Sequence, residues 1–129
     1  MLWRWYWCRT ELSKSNSFAL ISLGKCYENG RGVQKDNSKA LDYYIKSSEL
    51  DNSYALNYIG NFYYNGTGIK KDFEKAVDCY KKSAELGNPF ALLNLGVCFE
   101  NGQGIDQDSS IALDYYQRAA ALGNTDAKL

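Results

Sequence analysis

The side chains in this sequence that are best suited to chemistry are four cysteines, Cys8, Cys26, Cys79 and Cys98. A thiolate is a nucleophile and a metal ligand, but it needs a basic neighbour or a helix terminus that lowers its pKa. The chain contains no histidine, which excludes Cys-His and Ser-His-Asp catalytic groups and any zinc site that uses an imidazole. A cysteine-dependent hydrolase using Cys26, Cys79 or Cys98 stays open as an alternative, and we predict no catalytic residue, no metal and no cofactor.

The cysteines are 18, 53 and 19 residues apart and form no Cys-x-x-Cys pair. This spacing favours buried thiols in a reducing compartment, although four cysteines also allow three disulfide connectivities. Arg4 and Arg9 interrupt the apolar start of the chain too early for a signal-peptide core, and no apolar stretch approaches the length of a membrane span. We therefore expect a cytoplasmic protein. The tryptophans near the start also allow contact with a membrane surface, as a less favoured alternative.

A Gly-x-Gly element that could be mistaken for a phosphate-binding loop occurs three times. The copies are Gly30-Arg31-Gly32, Gly66-Thr67-Gly68 and Gly102-Gln103-Gly104. Each follows a helical pattern rather than a strand, and no Lys-Ser or Lys-Thr comes after it, so the glycines indicate left-handed turns. The aspartates that follow lack the alternating oxygen ligands of a calcium loop, and we interpret them as helix caps.

The composition describes one folded domain. The chain has 129 residues, 45% of them hydrophobic, with one proline and 15 acidic against 15 basic residues. This balance excludes a disordered chain. It also gives no general attraction to nucleic acid, which we do not expect as a partner.

The elements that hold these residues are set by an internal repeat. Alanine, glycine, aspartate and tyrosine recur at intervals of 36 residues without an insertion, as in Gly24, Gly60 and Gly96. Three full copies span 17–52, 53–88 and 89–124. An atypical head, 1–16, precedes them, and a partial fourth copy, 125–129, follows.

Each copy contains two segments with the apolar spacing of a helix face, so each repeat is predicted to be a pair of helices. The predicted N-caps of the first helices are Asn16, Asn52, Asn88 and Asn124, and those of the second helices are Asp36, Asp72 and Asp108. Second helices are expected to end at Gly87 and Gly123, with Asp51 in that place in the first copy. Residues 2–15 are interpreted as a degenerate second helix that caps the first repeat.

The repeated residues have a family likeness: Ala-x-x-x-Leu-Gly-x-x-Tyr, two glycines, an aspartate, Lys-Ala-x-x-Tyr-Tyr and a closing Ala-Glu-Leu-Gly-Asn. This pattern resembles the Sel-one-like repeat (SLR) family, relatives of the tetratricopeptide repeats. Copy 53–88 matches best, with Ala55, Ile59, Gly60, Tyr63, Gly66, Gly68, Ile69, Asp72, Lys75, Ala76, Tyr80, Ala84, Glu85, Gly87 and Asn88. Departures are mild: Ser47 and Ser48 replace small apolar residues, and Asp51 replaces glycine.

The resemblance implies an all-α fold, a right-handed α-solenoid of antiparallel helix pairs, used as a non-catalytic scaffold that binds another protein or a peptide. A secreted, cysteine-rich branch of the family carries regularly spaced disulfides. Cys26 and Cys98 occupy equivalent positions two repeats apart, so that regular pairing is missing here. A secreted small-molecule binder of that branch is therefore kept only as an alternative, as is a fragment of a larger adaptor with no partner of its own.

First helices line the concave surface of such a solenoid, so a binding site should form columns with the period of the repeat. We predict that the partner-binding face consists of Ile21, Lys25, Glu28, Asn57, Asn61, Tyr64, Leu93, Val97 and Glu100. Phe18, Tyr54 and Phe90 extend these columns, but an aromatic residue at helical spacing is more often core, and we expect them to be buried between repeats. The third repeat is acidic, and the ends of an open solenoid also permit end-to-end self-association.

Overall fold

The computed structural model of the protein describes the backbone of residues 2–122 and the side chains of residues 16–122. This part of the chain forms six helices and no strand. They are α1 (Leu2–Asn29), α2 (Asn37–Ser48), α3 (Ser53–Asn65), α4 (Phe73–Glu85), α5 (Pro89–Asn101) and α6 (Ser109–Leu122). The predictions for Gly123, Asn124 and the fourth copy at 125–129, and for the side chains of Cys8 and the tryptophans of the head, fall outside the described residues.

Each helix packs against the next one along the chain, so the helices stack as consecutive antiparallel pairs. The pairs α1 with α2, α3 with α4, and α5 with α6 correspond to the three predicted repeats. Because contacts run almost entirely between neighbours, the array has the architecture of a solenoid. The all-α solenoid predicted from the repeat is confirmed.

The predicted caps are present at five of the helix starts that the structure describes. Asp36 and Asp72 each accept a hydrogen bond of 3.1 Å from the backbone N–H three residues further on. Asn52 and Asn88 each accept two backbone N–H groups at the start of the next helix. Asp108 accepts the N–H groups of the second and third residues after it. These bonds satisfy donors that a helix start leaves free.

The prediction for Asn16 was wrong. Asn16 lies inside α1, which runs without a break from Leu2 to Asn29. Residues 2–15 are therefore helical, but they continue the first helix instead of folding back on it as a separate second helix. The physical reason is that residues 1–16 contain neither glycine nor proline. A capping side chain alone does not stop a helix whose backbone can continue.

A glycine in each first helix packs directly against a tyrosine ring of the second helix in the same repeat. A Cβ atom placed on Gly60 would lie 2.5 Å from Cε1 of Tyr80, and Gly24 and Gly96 show the same relation to Tyr44 and Tyr116. Tyr44 and Tyr80 are almost completely buried. Side chains of ordinary size at the glycine positions would push the two helices apart, so these glycines set the distance within each pair.

Ser47 and its equivalent in the next repeat, Ser83, make hydrogen bonds near the ends of the second helices. Ser47 Oγ donates to the carbonyl oxygen of Ser17, and Ser83 Oγ donates to that of Ser53, both at 2.7 Å. Ser47 and Ser83 are fully buried. Each bond joins the end of a second helix to the first residue of the same repeat, so the serines tie the two helices together without leaving a buried hydroxyl unsatisfied.

Candidate functional site

Residues 16–29 of α1, together with α3 and α5, lie side by side and form one surface, which we call the first-helix face. Contacts between neighbouring repeats hold this surface together. Phe18 and Tyr54 have ring centroids 6.4 Å apart, and Asn94 Nδ2 donates to Asn57 Oδ1 at 2.7 Å. The second helices α2, α4 and α6 lie behind this surface and pack against it.

The expectation that Phe18, Tyr54 and Phe90 are buried between repeats was wrong. Their exposed fractions are 55%, 40% and 54%, so all three project from the first-helix face as a column. The reason is the small residue that follows the aromatic one. Ala55 and Ala91, which follow Tyr54 and Phe90, are fully buried where two helices approach closely. A rotation of about 100° per residue then turns the preceding aromatic side chain outward.

Two of the predicted binding residues are not free. Ile21 is 6% exposed and Asn57 is 7% exposed, because their column lies where neighbouring first helices meet. Asn57 is also occupied by the hydrogen bond from Asn94. The equivalent residue Leu93 is 43% exposed, since no further first helix follows α5 within the described residues.

Three of the predicted residues are accessible to solvent but also make contacts within the protein: Lys25, Glu28 and Glu100. Lys25 Nζ lies 4.2 Å from the centre of the Tyr58 ring in the next repeat, a cation–π contact. Glu28 accepts the hydroxyl of Tyr44 at 2.7 Å, and Glu100 accepts that of Tyr116 at 2.8 Å. Burial, and after it the hydrogen bond with Glu100, raises the pKa of Tyr116 to about 12. These glutamates therefore orient the tyrosines of the second helices.

The middle repeat is built differently. Tyr64 stands where the other repeats have glutamate, and its hydroxyl donates to Gln103 Oε1 at 2.6 Å. Tyr80 donates instead to Asn61 Oδ1, also at 2.6 Å. Asn61, Tyr64 and Val97 line a cleft of about 310 Å³ between α3 and α5. The structure thus brings these three predicted residues together in one polar depression.

A second cleft, of about 340 Å³, continues from this depression toward the aromatic column. Its lining residues come from α3 and α5 only: Tyr54, Asn57, Tyr58, Asn61, Phe90, Leu93 and Asn94. Sequence reasoning missed Tyr58 and Asn94 as members of the site. Their shared position in the 36-residue repeat, polar in every copy, was the signal that could have placed them on the face.

Two of the described cysteines, Cys79 and Cys98, have environments that disfavour the reactive thiolate. Cys98 is fully buried, and burial raises its pKa to about 11. Burial also raises the pKa of Cys79, with Lys82 acting in the opposite direction. Thiols held neutral in this way are poor nucleophiles. Among the described residues, no cluster of three or more metal-ligating side chains occurs, and no helix has the length and apolar character needed to cross a membrane.

Comparison with known protein families finds the same repeat boundaries as the sequence analysis. A family model for the Sel1 repeat matches residues 17–52, 53–88 and 89–124. The chain belongs to the Sel1 repeat family. Sel1 repeat proteins form helical repeat scaffolds that are generally non-enzymatic and typically bind other proteins. Among curated proteins, none matches this chain.

Solved structures of similar proteins share the fold. A Sel1 repeat protein from Oxalobacter formigenes is 33% identical, with a TM-score of 0.80 over 88% of this chain and 47% of its own. A protective antigen with an SLR fold, present in uropathogenic Escherichia coli strains, is 29% identical, with a TM-score of 0.80 over 88% of this chain and 24% of its own. Cysteine rich protein B of Helicobacter pylori is 26% identical, with a TM-score of 0.71 over 92% of both chains. The present chain thus spans about half and about a quarter of the first two relatives.

Proposed function

We propose that this Sel1 repeat protein binds an extended segment of a partner protein across the first-helix face, without catalysis of its own. The observation that carries the proposal is the column of exposed aromatic rings, Phe18, Tyr54 and Phe90, beside clefts lined with amide groups. Exposed aromatic residues next to a concave polar surface are characteristic of protein-binding sites. The predicted residues Lys25, Asn61, Tyr64, Leu93 and Val97 belong to this site.

The chemistry of the face suits a peptide that has apolar side chains and backbone N–H and C=O groups without hydrogen-bond partners of their own. The aromatic rings and Leu93 offer contact area at low entropic cost, because each ring has few rotatable bonds. Asn61 and Asn94 line both clefts. Asn61 Oδ1 accepts from Tyr80 and Asn94 Nδ2 donates to Asn57, so the Nδ2 group of Asn61 and the Oδ1 atom of Asn94 are left to pair with a peptide C=O and N–H.

The size of the site sets the length of the segment. The ring centroids of Phe18 and Tyr54 lie 6.4 Å apart, and neighbouring helix axes in packed arrays lie about 10 Å apart, so the three rings span about 16 Å. An extended chain rises about 3.3 Å per residue and would cover this distance with about five residues. We therefore expect recognition of a short linear segment rather than of a large folded surface.

The test uses random peptides displayed on phage as the probe, with titration calorimetry on a selected peptide. Removing both Tyr54 and Phe90 by substitution with alanine should weaken binding about 30-fold, at about 1 kcal/mol for each ring. Ile45→Ala is the matched control, because Ile45 is a 38% exposed apolar residue on α2, behind the face. Circular dichroism checks that all variants are equally helical.

Two outcomes would overturn the proposal. One is a failure to select any peptide with the intact chain. The other is a selected peptide that binds the Tyr54 and Phe90 double variant as tightly as it binds the intact protein.

A further inference from the structure

A third cleft, of about 420 Å³, lies where the turn between α2 and α3 meets the start of the first repeat. We call it the edge cleft, and its lining residues are Ser17, Phe18, Leu50, Asp51, Asn52, Ser53 and Tyr54. Phe18, Leu50 and Tyr54 are 55%, 41% and 40% exposed. Phe90 and Leu86, at the repeat positions of Tyr54 and Leu50, are exposed to a similar extent, so this exposure belongs to the repeat and not to one end of the array.

The two buried polar residues that line the edge cleft already have hydrogen-bond partners. Asn52 Oδ1 accepts two backbone N–H groups at the start of α3, and Asn52 Nδ2 donates to Ser17 Oγ at 3.1 Å. The carbonyl oxygen of Ser17 accepts the hydroxyl of Ser47. Because these groups are engaged in holding the repeats together, the cleft offers a ligand mainly its exposed apolar side chains and the carboxylate of Asp51.

Asp51 occupies a position at which glycine would suit the fold better. Its backbone φ is 60°, in the left-handed region, and the next repeat has Gly87 at this position with a φ of 88°. Within residues 16–122, whose side chains are described, the Asp51 carboxylate makes no ion pair and no hydrogen bond. The folded state therefore gains nothing from this side chain that would offset its unfavourable backbone, which is typical of a residue retained for binding.

The charged residues of the turn that forms the edge cleft are acidic. Leu50 lies between Glu49 and Asp51, both of which are exposed. Lys46, the basic residue in the last turn of α2, is engaged elsewhere, because its Nζ atom lies 5.5 Å from the centre of the Tyr43 ring. A carboxylate beside exposed aromatic rings favours a cation, through charge attraction and through cation–π contact.

We propose that the edge cleft binds a basic side chain of the partner segment, with arginine preferred over lysine. This inference rests on the proposed function and specifies the chemistry of the segment at one point. A planar guanidinium stacks on an aromatic ring and pairs with a carboxylate through two N–H groups, while the aliphatic part of the side chain contacts Leu50. The corresponding place in the next repeat has Gly87 instead of Asp51, so it offers Tyr54, Leu86 and Phe90 without a carboxylate and favours an apolar side chain.

The test is a double-mutant cycle between Asp51 and the basic residues of a peptide selected with the intact chain from the random phage library. Asp51→Asn removes the charge and keeps a side chain that tolerates the left-handed backbone. It should weaken binding of the selected peptide about threefold to fivefold in titration calorimetry, and leave unchanged the binding of a peptide in which the basic residue is replaced by norleucine. Asp51→Gly should weaken binding to the same extent while raising the urea midpoint, a combination that a purely structural role for Asp51 does not give.

Glu49→Gln is the matched control, because Glu49 is an exposed carboxylate of the same turn that does not line the edge cleft. It should bind the selected peptide like the intact chain. Three results would overturn this inference alone: selected peptides without a basic residue, a norleucine replacement that costs the same in the intact chain and in Asp51→Asn, or equal weakening by Glu49→Gln. In each case, loss of binding in the Tyr54 and Phe90 double variant would still support the proposed function. Failure to select any peptide would overturn both.

Discussion

The close approach of Gly60 to Tyr80 gives a prediction whose size can be worked out. In Gly60→Ala, the new Cβ would lie 2.5 Å from Cε1 and 2.8 Å from Cδ1 of a ring that is only 2% exposed. Overpacking of this kind costs about 2 kcal/mol. Displacing the ring also strains the hydrogen bond from Tyr80 to Asn61, which adds about 1 kcal/mol. The better helix propensity of alanine returns about 1 kcal/mol.

The expected loss is therefore about 2 kcal/mol in the free energy of unfolding, measured by urea denaturation with circular dichroism. Gly96→Ala is the matched comparison. Its Cβ would lie equally close to the Tyr116 ring, at 2.5 Å, but that ring is only half-buried and can swing away. We expect a loss of about 1 kcal/mol or less there.

Two results would refute this reasoning. The first is a Gly60→Ala variant as stable as the intact chain, and the second is a Gly96→Ala variant that loses as much stability as Gly60→Ala. The Gly60→Ala and Tyr80→Leu double variant should also lose less stability than the sum of the two single variants, because removing the ring removes the clash, and a strictly additive double variant would count against the reasoning.

Three further predictions concern single positions. Asp51 has a backbone φ of 60°, in the place where the next repeat has Gly87, so Asp51→Gly should raise the free energy of unfolding by about 0.5–1 kcal/mol in the same urea assay. Burial raises the pKa of Tyr44 and Tyr80, so the folded state holds these protons more tightly than the unfolded chain. These groups should therefore leave the free energy of unfolding unchanged below a pH of about 10 and lower it as the pH rises further. Tyr44→Phe should make this decrease smaller, as measured by urea denaturation midpoints across alkaline pH. Cys98 should react with a thiol reagent only when the chain unfolds, as followed by mass spectrometry, and rapid labelling of the native protein would revive the hydrolase alternative.

The helix pairs and their caps could be predicted because the same residue types recur at a fixed interval. Aspartate and asparagine at the predicted starts satisfy free backbone donors, and the structure places five of them as caps. Asn16 shows the limit of this reasoning. The same residue type does not end the helix that precedes it, since nothing in residues 1–16 interrupts the backbone.

The first-helix face was harder to predict, because it depends on how neighbouring repeats are rotated against each other. Ile21 and Asn57 lie at the edge of the apolar stripe, and only contact with the next first helix decides that they are buried. Phe18, Tyr54 and Phe90 lie at the opposite edge and are left exposed. Residue type favours burial for the aromatic residues and exposure for Asn57, and packing reverses both.

The middle repeat shows how the site can vary while the scaffold stays the same. The first and third repeats anchor their second-helix tyrosine on a glutamate, Glu28 or Glu100. In the middle repeat that position is Tyr64, and the anchor moves to Asn61, so the tyrosine hydroxyl remains satisfied. A buried hydroxyl without a partner would be costly, which makes the two changes dependent on each other.

This exchange has a consequence for recognition. It removes a negative charge from the middle of the first-helix face and leaves an acidic group in the repeat on either side. It also directs Tyr64 toward the loop of the third repeat, where its hydroxyl holds Gln103 beside the cleft. A segment bound as proposed would therefore meet a neutral, amide-lined centre flanked by the carboxylates of Glu28 and Glu100. We accordingly expect selected peptides to carry uncharged residues in the middle and basic residues toward their ends.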